Sequence, residues 1–299
     1  MISLQALADL AREHAADLDL PVVPLLVGDR VFGADAPPLI MGCVNLSRDS
    51  TYRESIATST EAAIRKGRVL AAQGADVIDV GAESSRATAA RVGPVQQIAL
   101  LVPVVTALAA DGVLVSAETY DPEVAEACVE AGATMLNFTG TAQQDEVLRL
   151  AAASQTTVVL CDIRGEDARA VAARGQLDDD PVPGLLERLG GRLAAAEAAG
   201  VERIVLDPGL GFSQVLREDP QARLSRQAQV LVNTFRLRRL GRPLCHALPH
   251  AFDVFGDQFR TAEGFFAVLA LLGGTSVLRT HEVPQVRAVV EAMRVLTVR

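Results

Sequence analysis

Glu118, Asn137 and Asp207 each close a short apolar run, in VLVSAE, TMLN and RIVLD. Two carboxylates and one carboxamide form a selective set, because a carboxylate only accepts hydrogen bonds whereas an amide both donates and accepts. Singly, each fits the cap of a helix that follows a strand, and Pro208 and Gly209 favour that role for Asp207. Three such endings together fit the edge of a bound ligand better. The elements that must position them are legible as well. Eight apolar runs, at 39–44, 76–80, 113–116, 134–136, 157–160, 203–206, 243–245 and 276–278, alternate with stretches of helical length rich in Ala, Leu, Arg and Glu, such as 58–73 and 184–199. Strand then helix, eight times over, predicts an α/β fold of the (β/α)8 TIM-barrel type, in which polar residues at the strand ends converge on one mouth.

Length and composition agree with one barrel. The 299 residues exceed a barrel of about 250 residues by an N-terminal extension. Residues 1–37 form that extension, an amphipathic helix followed by a hairpin whose apolar halves flank Gly28 and Asp29, and residues 38–299 form the barrel. The apolar share of 49% supplies a large core, while 4% aromatics and no Trp give no base-stacking surface. A net charge of −9 repels a polyphosphate chain, which argues against nucleic acid as a partner. Arg236, Arg238, Arg239 and Arg242 read as a solvated face at the end of a helix, where cations are favoured.

Cys43, Cys128, Cys161 and Cys245 are widely spaced and form no CxxC pair, which predicts buried reduced thiols in a cytoplasmic protein. The N-terminus lacks the basic start and apolar centre of a signal peptide, and no apolar stretch reaches the roughly 20 residues of a membrane span. Three insertions, at 45–55, 83–92 and 164–183, follow strands and so lie at the mouth. The third holds Asp178, Asp179 and Asp180, which read as a turn and helix start before Pro181 rather than as a metal site.

Four segments resemble, in order, the signatures of the dihydropteroate synthase family within the pterin-binding barrels: MGCVNLSRDS, GADVIDVGAESSR, LDPGLGF and RTHEV. The resemblance implies a transferase of folate-type biosynthesis that joins a 7,8-dihydropterin methyl pyrophosphate to p-aminobenzoate or a related amine and expels pyrophosphate. It implies that Glu118, where the family carries Asp, meets the aminopyrimidine edge of the pterin together with Asn137 and Asp207. Asp207, Arg279 and His281 are then the catalytic set, with Ser85, Arg86 and Phe212 as further substrate contacts. Asn45 becomes the ligand of Mg2+. The chemistry suits the task, since an amide oxygen is a hard ligand and arginine forks match phosphate oxygens. Loss of pyrophosphate leaves positive charge on the pterin methylene, so carboxylates are expected at one end of the ligand and Arg86, Arg279 and His281 at the other. A homodimer through outer helices is also implied, and FFAVLALLGG serves either that interface or packing on the barrel.

The chain departs from the family at the seventh strand, where Ser-Arg-Lys is expected and PHA stands, leaving Ala251 in place of the lysine. His246 or His250 is the expected compensation. Ser85 and Ala87 replace Thr and Pro, Gln214 replaces a lysine, and Cys161 and Asp162 replace a Met-His pair. These changes leave two alternatives standing beside the synthase: a pterin-binding homologue without turnover, and a pterin-dependent methyltransferase.

Overall fold

The computed structural model describes residues 2–33, 36–47, 56–84, 89–169, 179–212 and 219–296. Helices α1 (Leu4–Glu13) and α2 (Ala15–Leu18) precede a two-stranded hairpin, β1 (Leu25–Val27) and β2 (Arg30–Phe32). Eight parallel strands follow: β3 (Leu39–Asn45), β4 (Val77–Gly81), β5 (Leu114–Thr119), β6 (Met135–Phe138), β7 (Thr157–Cys161), β8 (Ile204–Asp207), β9 (Cys245–Ala247) and β10 (Val277–Thr280). Between and after them run α3 (Thr60–Ala72), α4 (Pro94–Ala110), α5 (Pro122–Glu130), α6 (Gln144–Ser154), α7 (Val182–Ala198), α8 (Pro220–Val232), α9 (Phe252–Phe255), α10 (Ala262–Leu272) and α11 (Val283–Val295). The sheet runs β8-β7-β6-β5-β4-β3-β10-β9, and a parallel bridge between Leu206 and Leu244 brings its two edges together. The eightfold alternation in the sequence is therefore a nearly closed TIM barrel.

Alternation along each strand sorts the side chains into two layers. Ile40, Ile78, Val115, Leu136, Leu160, Leu206 and Leu278 face outward and pack beneath the helices. Leu39, Met41, Val77, Leu114, Met135, Val159, Val205 and Val277 face inward and fill the lower barrel. Full burial of one such Leu or Ile side chain stabilises the fold by about 1.5–3 kcal/mol. The same inward phase, continued two residues toward the C-terminal end of each strand and four in β5, sets Asp79, Ser116, Glu118, Asn137, Asp207 and Arg279 in the upper barrel. A greasy floor and a polar ceiling thus follow from one period-two pattern.

The hairpin closes the floor. Leu25 and Val27 join the inward cluster, the Thr157 hydroxyl donates to the Leu26 carbonyl at 2.5 Å, and Arg203 donates to the Gly28 carbonyl at 2.9 Å. Gly28, with φ +59°, makes the turn that lets the hairpin reach Leu114 and Thr134. Local signals start the helices: Ser59 caps α3, Asp121 caps α5 and Asp219 caps α8.

The arginine cluster is a correction to the sequence reading. Arg236 is buried and forks onto Asp180 at 2.9 and 2.7 Å, Arg239 forks onto Asp17 at 2.7 Å twice, and Arg238 donates to the Leu20 carbonyl. A short 3-10 segment, Thr234–Leu240, carries these side chains and packs against α2 and α7, so that Arg236 is buried while Arg239 stays half-exposed. Arg238 and Arg239 fasten the N-terminal extension to the barrel, whereas Arg236 and Arg242 tie barrel segments to one another. Asp180 also accepts from the Val182 amide, the helix-start role read from sequence, while Asp178 lies outside the described residues.

Candidate active site

Asp79, at the centre of β4, organises the upper barrel. Its carboxylate is 1% exposed and accepts from Ser116 Oγ at 2.6 Å, Asn137 Nδ2 at 3.1 Å and Arg279 Nε at 2.7 Å. Arg279 extends its other arm to Glu118 Oε2 at 2.5 Å. Four strands, β4, β5, β6 and β10, are joined by this one network. Burial disfavours the Arg279 charge, but the Glu118 and Asp79 carboxylates outweigh it and hold the guanidinium firmly protonated. Burial pushes the Glu118 carboxyl up, opposed by Arg279 and reinforced by Asp79. The sequence reading placed Arg279 with the phosphate-binding group, apart from Glu118; the structure instead joins the two. A buried guanidinium is stable only beside anions, and two carboxylates lie within its reach.

Asp207 closes the ring from β8. It is 4% exposed, accepts from the Gly209 amide at 2.7 Å, and lies beside Cys161 in the β7 register. Burial raises its pKa to about 6, against the lowering effect of the Gly209 hydrogen bond and of Arg279. Cys161 donates to Asn137 Oδ1 at 3.7 Å, so the Asn137 amide is oriented from both ends, with Asp79 fixing its nitrogen. Of the replaced pair in the fifth unit, only Cys161 faces inward. Asp162 turns out to α7, where Arg188 holds it at 2.8 and 2.7 Å. Phe212, in a 3-10 turn at Leu210–Phe212, packs against the inward apolar cluster.

Beyond the ring, the loop after β4 is tied down by charge. Glu83 accepts from the Tyr120 hydroxyl, the Val92 amide at 2.9 Å and Arg169 at 3.2 Å, while Arg169 also donates to the Ser84, Ala89 and Ala90 carbonyls. Arg91 bridges Tyr120 and Asp167 at 2.7 and 3.2 Å. A cavity lined by Glu83, Ser84, Glu118, Tyr120, Thr139 and Ala168 opens between this loop and the ring. Ser85 and Arg86 lie outside the described residues.

Asn45 stands at the inward end of β3, half-buried, its carbonyl accepting from the Ala57 amide at 2.8 Å. Its side-chain oxygen is a hard donor at the mouth. That fits Mg2+, which takes one or two protein oxygens and completes its shell with water and phosphate.

Two histidine assignments change. His246 faces outward in β9, fully buried, with Nε2 2.8 Å from the Thr234 hydroxyl, and burial lowers its pKa to about 3. It is a packing residue with no access to the mouth, and strand parity is the reason: Cys245 and Ala247 hold the inward positions. His250 does lie at the mouth, its ring 4.8 Å from that of His281. His281 Nδ1 is 3.0 Å from Glu263 Oε1, and burial lowers its pKa to about 4 despite that carboxylate. Neutral His281 with its Nδ1 proton on Glu263 leaves Nε2 as an acceptor, so donation to a phosphate oxygen requires the other tautomer or a second proton. Ala251 sits beside them in the left-handed region at φ +49°, 5% exposed.

The model of the family described as pterin binding enzyme matches residues 41–281, the whole barrel up to His281. The chain belongs to the pterin-binding enzyme family. It is 34% identical over 257 residues to the dihydropteroate synthase type-2 of Escherichia coli, covering 82% of this chain and 90% of that one. The dihydropteroate synthase of Thermus thermophilus in complex with 4-aminobenzoate superposes with a TM-score of 0.76 at 27% identity, over 92% of this chain and all of that one. The Xanthomonas albilineans dihydropteroate synthase in complex with 7,8-dihydropteroate gives 0.71 at 27%, over 92% and 99%. The chain spans half the length of the Pisum sativum and Arabidopsis thaliana proteins named folate synthesis bifunctional protein, mitochondrial.

Within this barrel, sequence reasoning missed two residues. Asp79 sits in an apolar run, in the same inward phase as Ser116 and Asn137, and that phase was the available signal. Glu263, 1% exposed, is a charge inside the apolar AEGFFAVLALL helix, which marks it as partnered.

Proposed function

We propose that this protein is a dihydropteroate synthase-type transferase, condensing a 7,8-dihydropterin methyl pyrophosphate with p-aminobenzoate or a related aromatic amine. The observation that carries the proposal is the polar ring of Asp79, Glu118, Asn137, Asp207 and Arg279 in the upper barrel, at the strand ends where the dihydropteroate synthases of known structure share this fold. Asp207 and Asn137 match the donors and acceptors of an aminopyrimidine edge. In the reaction the amine nitrogen forms a bond to the pterin methylene, the carbon–oxygen bond to pyrophosphate breaks with its electron pair on the leaving group, and the amine loses a proton. Asp207 and Glu118 stabilise the positive charge that spreads over the ring as that bond breaks. Arg279 positions Glu118 and Asp79 and gives the site its cation. Asn45 is the residue that would hold Mg2+, which when bound neutralises charge on the departing pyrophosphate.

The same reading includes a homodimer, supported by Phe265 and Leu272, exposed on α10 while Phe266 and Leu269 pack inward. It also includes a cytoplasmic location, supported by four buried cysteines without disulfides and by the lack, among the described residues, of a helix long and apolar enough to cross a membrane. A pterin-binding homologue without turnover is the second reading, favoured by the apolar, buried Ala251 at the seventh strand end. Pyrophosphate release assayed with and without p-aminobenzoate separates them. Amine-dependent release is expected; release that ignores p-aminobenzoate points to another acceptor, and bound pterin with no release sinks the synthase reading.

A further inference from the structure

Glu263 is held from two sides in unequal ways. Its Oε2 accepts from the Thr280 hydroxyl, the His281 amide at 2.9 Å and the Glu282 amide at 3.2 Å, so donors of the β10 end fix the carboxylate plane. Its Oε1 is turned instead toward two imidazoles, His281 Nδ1 at 3.0 Å and His250 Nδ1 at 3.1 Å. One candidate ligand atom from each of the three side chains lies within 4.8 Å of the other two. The set spans three elements, since His250 follows β9, Glu263 belongs to α10 and His281 follows β10.

We infer that His250, Glu263 and His281 form a site for a divalent d-block cation of the zinc class, separate from the Asn45 oxygen. Two imidazole nitrogens and one carboxylate oxygen are a donor set such ions prefer, whereas Mg2+ selects oxygen. Four-coordinate Zn2+ takes nitrogen at about 2.0–2.1 Å and oxygen at about 2.0–2.2 Å, which puts neighbouring ligand atoms a little over about 3 Å apart. The two distances from Glu263 Oε1 are close to that length, and ion entry draws the candidate atoms, now within 4.8 Å of one another, to the same spacing by rotation of the rings. Each imidazole meets the ion through Nδ1 in its Nε2–H tautomer, a proton relocation within a neutral ring that leaves the net proton count unchanged. The Thr280 hydroxyl and the two backbone amides on Oε2 then act as the outer shell that orients the carboxylate. His250 has a 22% exposed side chain while Glu263 is enclosed, so solvent reaches the set at His250. Three protein ligands with one open side is the arrangement that leaves a coordination position for water or an oxyanion.

The inference stands without the transferase reading, because ion binding is measured with no pterin present. The full-length protein, stripped with a chelator, is titrated with Co2+ alone, followed by its visible d–d absorption and by competition with Zn2+. The expected result is one equivalent of Co2+ in a low-coordinate environment, displaced by Zn2+ and indifferent to excess Mg2+. His250→Ala, at the partly exposed rim, keeps the fold by circular dichroism and weakens Co2+ binding by more than the ~10–100-fold typical of losing an outer-shell partner. His281→Ala repeats the loss, whereas Asn45→Ala leaves the Co2+ spectrum unchanged. Absence of a stoichiometric Co2+ spectrum overturns the site, as does a spectrum that persists undiminished in both histidine variants.

Discussion

At the scale of single residues, Asp207 has the plainest assignment, a buried carboxylate at a strand end with one oxygen fixed by the Gly209 amide. Asp207→Asn is isosteric and keeps the fold, yet replaces an acceptor by a donor against the aminopyrimidine edge. Pterin binding, followed calorimetrically, is expected to disappear; unchanged affinity means the ligand edge lies elsewhere. The pKa of about 6 adds a pH signature, since the ionised form does the accepting. Affinity should decline below about pH 6, approaching tenfold per unit, and a profile flat to pH 4 removes Asp207 from the site. Arg279→Ala has a different outcome. Without the guanidinium, Asp79 and Glu118 face each other across a buried space, and breaking such a pair costs roughly 3–5 kcal/mol. Denaturant melts should show a loss of that order, and binding of the pterin alcohol should fall along with that of the pyrophosphate ester. A loss confined to the ester restores Arg279 to a purely phosphate-facing role.

Among the elements, the turn after β8 shows how tightly the mouth is built. Gly209 has φ +73°, and a Cβ there would come 2.2 Å from the Asp162 carbonyl oxygen. Asp162 is itself immobilised by Arg188 from α7. Gly209→Ala must therefore push the ends of β7 and β8 apart, adding a steric displacement to the ~1 kcal/mol that the left-handed backbone alone costs. We expect a thermal unfolding shift well beyond that backbone cost together with weaker pterin binding, because Asp207 is two residues away. A variant as stable as the wild type would show that this turn has slack. Strands and helices of this molecule were legible from period-two and helical patterning, and the Ser59, Asp121 and Asp219 caps carry ordinary signals. The Thr234–Leu240 segment was less so: its arginines read as solvated because their partners, Asp17 and Asp180, lie far away in sequence and no local pattern pairs them.

For the molecule as a whole, alternation explains both what the sequence revealed and what it hid. The inward phase of each strand gives Glu118, Asn137, Asp207 and Arg279 directly, and the same phase, applied to β9, turns His246 to the outer layer. Asp79 and Glu263 were obscured because a lone charge in an apolar run has meaning only once its long-range partners are known. Buried histidines also set the acid stability. His246 is lowered from 6.5 to about 3, so its stabilising share is complete above pH 6.5 and lost as pH falls toward 3, a total on the order of 4–5 kcal/mol. Asp207 works with the opposite sign: its raised pKa contributes stability below its unfolded value near 3.8 that is lost as pH rises through about 6. The histidine shift exceeds that of Asp207, and the lowered His281 and Glu263 act with the same sign, so His246→Gln should reduce the loss of stability between pH 6.5 and 3 without removing it, and an unaltered slope contradicts the assignment. The central claim, that the polar ring of this barrel binds a pterin pyrophosphate and transfers its pterin-methyl group to an aromatic amine with release of pyrophosphate, is tested most directly by mass spectrometry. Wild-type protein and Asp207→Asn are incubated with Mg2+, the pterin pyrophosphate and p-aminobenzoate. Dihydropteroate and pyrophosphate in equal amounts from the wild type, and neither from the variant, is the predicted result. Wild-type protein that binds the pterin yet forms neither product would contradict it.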